Sequence, residues 1–208
     1  METLIKYKLL VFFIFSFTLL SAQDANFNKT LEAFITSYER ENNEQIKEAI
    51  SALTEVYDAA SYEMNLRLGW LCYQAGQLNT SKNYYQKAID LKPFAIEPKF
   101  GMTYPVYAMG NKQELISVYD DILKTAPNNT IALYNLGNVY FYQKNYEAAE
   151  KLFSKVVNLF PFDYDALIML AHTNFHMKKF REAKVLYHKV LLFNPDDTIA
   201  KESLELLK

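Results

Sequence analysis

The sequence predicts an all-α protein built from stacked helix-turn-helix units, that is, an α-solenoid. Four prolines, Pro93, Pro127, Pro161 and Pro195, are each separated by 34 residues, and a fixed period of this length is typical of stacked helical repeats. Apolar and small residues fall in the same columns when the sequence is aligned on these prolines. The links within the units, such as "QKN" and "HMKK", are long enough only to join antiparallel helices.

The first element of the chain is an apolar segment at the N-terminus. Basic residues precede the apolar run from Leu9 to Leu20, and the small residues Ser21 and Ala22 follow it. This order is typical of a secretory signal peptide, and the run is short for a membrane span. We therefore expect residues 1–23 to be a signal peptide, with an uncleaved anchor as the alternative. The mature chain is then expected in the periplasm or envelope of a bacterium.

One unit shows how the aligned columns produce a helical hairpin. Leu133, Leu136, Gly137 and Tyr140 are spaced i, i+3, i+4 and i+7, which places them on one stripe of a first helix. Gly137 provides a small residue where two helices must approach closely. Phe153, on the second helix, is expected to fill the space between units.

This motif, with Ala149 four residues before Phe153 and with Pro161 at the end of the unit, resembles the tetratricopeptide repeat. The resemblance implies an α-solenoid of helix-turn-helix tetratricopeptide repeats in a right-handed superhelix, with the first helices on its concave side. We expect one domain over residues 24–208. Its repeats and its C-terminal capping helix are expected at 28–61, 62–95, 96–129, 130–163, 164–197 and 198–208.

Two units depart from the pattern. The unit at 28–61 is degenerate, with about two extra residues in its turn. The unit at 96–129 carries Thr103 and Leu115 where small residues are usual, and Pro105 falls within its first helix. A proline there removes a backbone donor and crowds the preceding turn, at a cost of ~3 kcal/mol in an ordinary helix. We expect a kink at this proline.

Two further residue types have a predicted structural role. Asp163 and Asp197 stand directly before helices, where a carboxylate oxygen can accept a hydrogen bond from a free backbone N–H, so we expect them to be N-caps. Cys72 is the single cysteine, so we expect no internal disulfide. Because its neighbours are not electropositive, we expect a buried and inert thiol.

The resemblance also implies which positions of the first helices face the concave groove. Aromatic residues dominate these positions, and a large exposed apolar surface generally marks a binding site. The alternative is that the rings pack against neighbouring helices and expose only their edges. We expect a partner-binding groove lined by Leu66, Trp70, Tyr73, Phe100, Tyr104, Tyr107, Tyr134, Asn138, Phe141, Tyr142, His172, Phe175 and His176.

Within this groove we expect a continuous aromatic strip to carry most of the binding energy, because central aromatic anchors dominate interfaces. Its residues are Trp70, Tyr73, Tyr107, Tyr134 and Phe141. The unit at 28–61 is expected to be polar on this side, through Lys29, Glu32, Thr36 and Glu39. The basic residues of the carboxylate-clamp subtype of the family are missing.

Composition and motifs exclude several classes of function. The formal net charge is −2 and no long run of one sign occurs, so we expect neither nucleic acid nor a membrane as partner of the mature domain. The sequence has no P-loop, nucleophile elbow or dinucleotide fingerprint. We therefore predict a non-catalytic scaffold without cofactor that binds a protein or peptide, in an envelope assembly complex.

The main alternative is a metal-binding module or metal-dependent enzyme centred on His172 and His176. These residues are spaced i, i+4, with Asp165 seven residues before the first of them, and such a set could hold a metal. The segment "HTNFH" lacks the glutamate of the HExxH motif. A third alternative is a homo-oligomer in which the groove or the C-terminal cap buries itself in a second copy.

Overall fold

The computed structural model describes residues 26–207, and these residues form helices and turns without a strand. The predicted signal peptide lies outside the described residues. The prediction of an all-α fold made of antiparallel helix pairs is confirmed. The described helices are α1 (26–42), α2 (Ile46–Thr54), α3 (Tyr62–Gln74), α4 (Leu78–Leu91), α5 (Glu97–Ala108), α6 (Lys112–Thr125), α7 (Thr130–Tyr142), α8 (Tyr146–Leu159), α9 (Tyr164–His176), α10 (Phe180–Phe193) and α11 (Thr198–Glu205).

The chain divides into two compact units. Among the described residues, the first ends at Pro93 and contains α1 to α4, and the second begins at Phe94 and contains α5 to α11. In the second unit each hairpin packs on the next, because α6 contacts α7 and α8 contacts α9. The last helix, α11, packs on α10, and Ala200 on α11 is fully buried.

Side-chain caps begin many of the helices. Asp163 accepts a hydrogen bond from the backbone N–H of Ala166 at 2.8 Å, and Asp197 accepts one from Ala200 at 2.8 Å. Both predicted N-caps are therefore confirmed. A cap of this kind typically contributes about 1 kcal/mol, because it satisfies a backbone donor that the helix itself leaves free.

The turn inside every described hairpin closes in the same way. The residue directly after each turn, which is the N-cap of the second helix, donates its backbone N–H to a carbonyl five residues earlier, as in Gln77 to Cys72 at 2.8 Å and Asn145 to Tyr140 at 2.9 Å. This bond requires a residue with positive φ between the two helices. The residues in that conformation are Glu44, Gly76, Gly110, Lys144 and Lys178.

These turn residues show a shift in register in the first hairpin. Gly76, Gly110, Lys144 and Lys178 are 34 residues apart, whereas Glu44 precedes Gly76 by only 32. Residues of α1 therefore occupy positions two residues away from those that the proline period assigns to them.

A glycine and an aromatic ring fix the distance between the two helices of a hairpin. An added Cβ at Gly137 would lie 2.7 Å from a ring carbon of Phe153, and one at Gly69 would lie 2.9 Å from the ring of Tyr85. Phe153 and Tyr85 are buried. The close approach predicted at Gly137 is therefore confirmed, and Gly69 makes the same kind of contact.

The hairpin α5–α6 replaces this arrangement with a polar contact. Thr103 takes the glycine position and donates a hydrogen bond to the carbonyl of Phe100 at 2.7 Å, and it also hydrogen-bonds to the buried Tyr119. Helix α5 continues on both sides of the buried Pro105. The kink expected there stays a prediction.

Cys72 is buried in α3 with 1% of its surface exposed. Burial raises the pKa of its thiol to about 11, so the reactive thiolate is scarce at neutral pH. The predicted burial is confirmed, and the raised pKa favours an inert thiol.

We expect Gly137→Ala to destabilise the protein by about 1–2 kcal/mol, because overpacking a tight helix contact outweighs the better helix propensity of alanine. Urea unfolding followed by circular dichroism measures this change. The control is Gly137→Ala combined with Phe153→Leu, where the smaller side chain leaves room for the new methyl group. The loss in this double variant should be smaller than the sum of the two single losses. A single variant as stable as the parent would contradict the packing argument.

Lys144→Gly should stabilise the protein by up to about 1 kcal/mol, because a left-handed conformation strains every residue except glycine. The measurement is again the free energy of unfolding in urea. The matched control is Lys151→Gly, an exposed position inside α8, which should lose about 1 kcal/mol. If both substitutions destabilise equally, the turn does not constrain this residue.

Candidate functional site

The predicted groove residues lie on four first helices of the hairpins and differ widely in exposure. Tyr107 and Tyr142 expose 75% and 74% of their surface, while Leu66, Trp70, Phe141, His172 and Phe175 are half-buried. By helix, the thirteen residues are Leu66, Trp70 and Tyr73 on α3, Phe100, Tyr104 and Tyr107 on α5, Tyr134, Asn138, Phe141 and Tyr142 on α7, and His172, Phe175 and His176 on α9.

Four of these residues line an open cleft of about 720 Å³ in the second unit. They are Tyr107, Tyr134, Asn138 and Tyr142. The sequence did not indicate the other residues of this cleft, which are Ala108, Gly110, Asn111, Lys112, Leu115, Tyr119, Asn135, Val139 and Met169. The only one of them that the sequence marked as unusual was Leu115, a large residue at an aligned position where the other units carry small ones.

The cleft lies where the divergent hairpin α5–α6 meets α7. Helix α6 packs on both α5 and α7. Side chains of these three helices, together with Met169 of α9, line an open space beside this packing. This volume is within the range of small-ligand and peptide-anchor sites.

Some hydrogen-bonding side chains of the cleft already bond to other residues of the chain, and others do not bond to any described residue. Tyr134 hydrogen-bonds to Asn138, and burial raises the pKa of Tyr134. Burial likewise raises the pKa of Tyr119, whose hydroxyl is bonded to Thr103. The carboxamide of Asn135, in contrast, makes no hydrogen bond to any described residue. It lies half-exposed in the wall of the cleft.

The charge of the cleft is small. Its lining, all of it within the described residues, contains no carboxylate, histidine or cysteine, and Lys112 carries its one formal charge. Lys112 is exposed and forms no ion pair with the residues that the structure describes. The site therefore presents aromatic faces, phenol hydroxyls and carboxamides.

The groove residues of α9 do not line the cleft. The ring of His176 stacks on Tyr146 at 4.9 Å and lies edge-on to Phe141 at 5.5 Å. His172 lies 5.7 Å from the ring of Tyr187. Burial first, and then the charge of His176, lowers the pKa of His172, against a smaller opposite effect of Asp197. These rings pack against neighbouring helices, as one of the two alternatives expected.

The metal alternative has no complete ligand set in the part of the chain that the structure describes. Asp165 is exposed on α9, and no group of three or more His, Cys, Asp and Glu side chains is placed to hold a metal ion among the described residues. No observation favours a metal site at His172 and His176.

In the first unit, Trp70 is part of a hydrogen-bonded network rather than a free anchor. Its indole N–H donates to Glu41 at 2.7 Å, and Gln74 also donates to this carboxylate. Arg67 pairs with Glu41 at 2.5 Å and donates to Ser37 at 2.9 Å. The network joins α1 to α3.

The guanidinium of Arg67 is nearly buried and lies 3.9 Å from the ring centre of Tyr38. Burial alone would raise the pKa of Glu41. The hydrogen bonds from Trp70 and Arg67 and the charge of Arg67 outweigh burial and hold the pKa below its usual value. The aromatic residues of the first unit are thus fixed by an ion pair that the sequence did not indicate.

The polar surface predicted for the first hairpin is wrong. Lys29, Glu32 and Thr36 share a shallow depression with side chains of α2, whereas Tyr38 and Glu41 are the α1 residues that contact α3. The two-residue shift in register explains the difference, since it rotates α1 relative to the expected positions. Glu39, the fourth residue of the predicted surface, is exposed.

Of the expected aromatic strip, Tyr107 and Tyr134 line the cleft and Phe141 does not. Trp70 and Tyr73 belong to the first unit. That the five residues form one continuous strip stays a prediction.

Two segments of the chain match the tetratricopeptide repeat family, residues 62–94 and residues 130–163. No curated protein matches the chain. Repeats of this family generally form non-catalytic surfaces for protein interaction.

Solved structures with the same fold cover most of the chain. A tetratricopeptide repeat protein from Parabacteroides merdae ATCC 43184 is 19% identical, with a TM-score of 0.74 over 86% of this chain and 72% of that protein. MamA from Desulfovibrio magneticus RS-1 is 17% identical, with a TM-score of 0.69 over 82% and 97%.

YrrB, described as a tetratricopeptide repeat protein with an unusual peptide-binding site, is 13% identical, with a TM-score of 0.69 over 89% and 97%. The fold of the chain is therefore that of tetratricopeptide repeat solenoids. Within the described residues, no helix is both long and apolar enough to cross a membrane.

We expect Glu41→Gln to destabilise the protein by about 2 kcal/mol, because it leaves the nearly buried Arg67 without its counter-charge. The control is Glu39→Gln, an exposed glutamate on the same helix, which should have an effect within about 0.5 kcal/mol. Urea unfolding at pH 7 measures both.

The pH dependence of the same variants provides a second measurement. A carboxyl with a lowered pKa contributes stability above its unfolded pKa and loses it as the pH falls through the folded value. The difference in the free energy of unfolding between the parent and Glu41→Gln should therefore shrink below about pH 4.5, which is the ordinary pKa of glutamate. A difference that is constant from pH 7 to pH 3 would contradict the ion pair.

Proposed function

We propose that this chain, which carries tetratricopeptide repeats, is a non-catalytic scaffold that holds an extended segment of a partner protein in the cleft of its second unit. The observation that carries the proposal is the pair of exposed rings, Tyr107 and Tyr142, in the lining of one cleft. Two large aromatic rings left in water at a concave site are typical of a surface that a partner covers.

The energetics of the two tyrosines support a binding role. A buried tyrosine typically removes 150–250 Å² from water, and such residues are enriched among the anchors of interfaces. Tyr107 and Tyr142 each expose about three quarters of their surface, so a ligand can gain most of this burial. Their hydroxyls can then donate hydrogen bonds to the ligand.

The available carboxamide supports an extended ligand. Asn135 offers two donors and an acceptor inside the cleft, and no described residue uses them. An extended peptide presents backbone groups that need such partners, whereas a helix satisfies its own. The peptide-binding site of YrrB shows that the same fold can hold a peptide.

The chemistry of the lining supports binding over catalysis. General acid–base and nucleophilic catalysis mostly use histidine, carboxylates or cysteine, and none of these lines the cleft within the described residues. The remaining predicted groove residues, such as Phe100 and Tyr104 on α5, are proposed as additional contacts of a longer partner.

The proposed place of action is the bacterial envelope, where the scaffold would serve the assembly of a complex. Export is supported by the order of basic residues, the apolar run Leu9 to Leu20, and the small residues Ser21 and Ala22. N-terminal sequencing of the native protein addresses this part of the proposal. A mature N-terminus near Gln23 supports it, and an intact Met1 in the membrane fraction would contradict cleavage.

The cleft is tested with a library of random peptides displayed on phage. We expect peptides that are enriched on the parent protein to lose at least about tenfold in affinity for Tyr107→Ala/Tyr142→Ala, because each anchor typically contributes about 1–2 kcal/mol or more. Fluorescence anisotropy with the synthesised peptides gives the affinities.

The matched control for this experiment is Phe94→Ala, which removes an aromatic ring that is 86% exposed and lies outside the cleft. This variant should bind the peptides like the parent. Circular dichroism first establishes that all variants keep their helical signal. If folded Tyr107→Ala/Tyr142→Ala retains the peptides with unchanged affinity, the cleft is not the binding surface.

A further inference from the structure

We infer that the preferred occupant of the cleft is a proline-rich segment in the polyproline II conformation. This inference rests on the proposed function and names the class of peptide that the site would select. It follows from the balance of hydrogen-bond donors and acceptors in the lining, from the exposed rings, and from the charge of the site.

The available polar groups of the cleft are mainly donors. The hydroxyls of Tyr107 and Tyr142, the amide nitrogen of Asn135 and the ammonium of Lys112 form no hydrogen bond or ion pair with the described residues. The strongest acceptors, carboxylates, do not occur among the described lining residues. The cleft therefore suits a ligand that presents carbonyl oxygens and few N–H groups.

Proline-rich peptides have this composition. Each proline keeps its carbonyl oxygen and has no backbone N–H. An ordinary extended peptide would bring a donor with every residue, and each buried donor without an acceptor typically costs about 1–3 kcal/mol. The acceptors that the available side chains offer to those groups are the two phenol oxygens and the one carboxamide oxygen of Asn135, which are fewer than the donors.

The two exposed rings fit the shape of such a ligand. Tyr107 lies near the end of α5 and Tyr142 at the end of α7, and both line the same cleft. Aromatic-lined grooves bind polyproline II segments because the apolar pyrrolidine rings pack on the aromatic side chains. The polyproline II helix is also formed before binding, which lowers the entropy cost of ordering the ligand.

Other kinds of peptide fit less well. A cationic segment finds no carboxylate among the described lining residues and meets the charge of Lys112. A helical segment satisfies its own backbone and would leave Asn135 without a partner. A β-strand would need an exposed sheet edge, and the described residues form no strand.

The test compares two uncharged, fluorescein-labelled peptides of about twelve residues, one of repeating Pro-Pro-Ala and one of repeating Ala-Ser-Ala. We expect the full chain to bind the proline peptide at least about tenfold more tightly, the difference that about 1.4 kcal/mol produces. Tyr107→Ala/Tyr142→Ala should lower this affinity at least tenfold, and Phe94→Ala should leave it unchanged.

A second variant tests the donor argument itself. Asn135→Asp keeps the size of the side chain but replaces its donors with acceptors. It should lower the affinity for the proline peptide about tenfold or more, and it should not weaken the binding of the alanine–serine peptide, which carries N–H groups. A variant that was merely unfolded would lose both, and its circular dichroism spectrum would reveal this.

The outcomes distinguish this inference from the proposed function. If both peptides bind equally, or if Asn135→Asp leaves the preference unchanged, the inference is overturned. In that case, library peptides that depend on Tyr107 and Tyr142 would still support the cleft as a binding surface. If no library peptide depends on these tyrosines, both proposals fall together.

Discussion

The fold depends on one steric constraint, the close approach of two helices at a position too small for a side chain. At Gly137 and Gly69 an aromatic ring of the partner helix occupies the space that a Cβ would need. This contact sets the distance within a hairpin, and the distance decides which side chains can reach the next hairpin. Where the small residue is replaced, as at Thr103, the contact becomes polar. This replacement occurs in the hairpin that borders the cleft.

The sequence predicts these features to different degrees, for physical reasons. Helix type, pairing and the caps at Asp163 and Asp197 follow from local patterns, because apolar spacing and capping act over a few residues. The register of α1 does not follow, since it depends on the positive-φ residue Glu44, which has no glycine to mark it. Three tyrosines of the cleft, Tyr107, Tyr134 and Tyr142, could be predicted from their positions. Asn135 and Met169 could not, because their place in the cleft depends on how neighbouring hairpins pack on one another.

The sequence assigns Trp70, Tyr107 and Tyr142 to the same groove, but these residues differ in how freely a partner can contact them. Trp70 is held by a carboxylate that also pairs with a nearly buried arginine, so moving it means breaking several charged hydrogen bonds. Tyr107 and Tyr142 lie in a lining with a single charge, and most of their surface faces solvent. Sequence columns alone do not separate these cases, because the partner of Trp70 lies 29 residues away in the chain.

The hairpin turns have a consequence for the way the chain folds. Bonds between neighbouring hairpins join residues about 30 positions apart, such as Arg67 with Ser37, 30 residues away, and Tyr164 with Asp197, 33 residues away. Within a hairpin, the turn is closed by a bond over five residues. Contacts between residues that are so close in the sequence form quickly, because little loop entropy is lost before they are made. Each pair of helices can therefore become structured soon after its residues are free to move, and a slow search for distant partners is avoided.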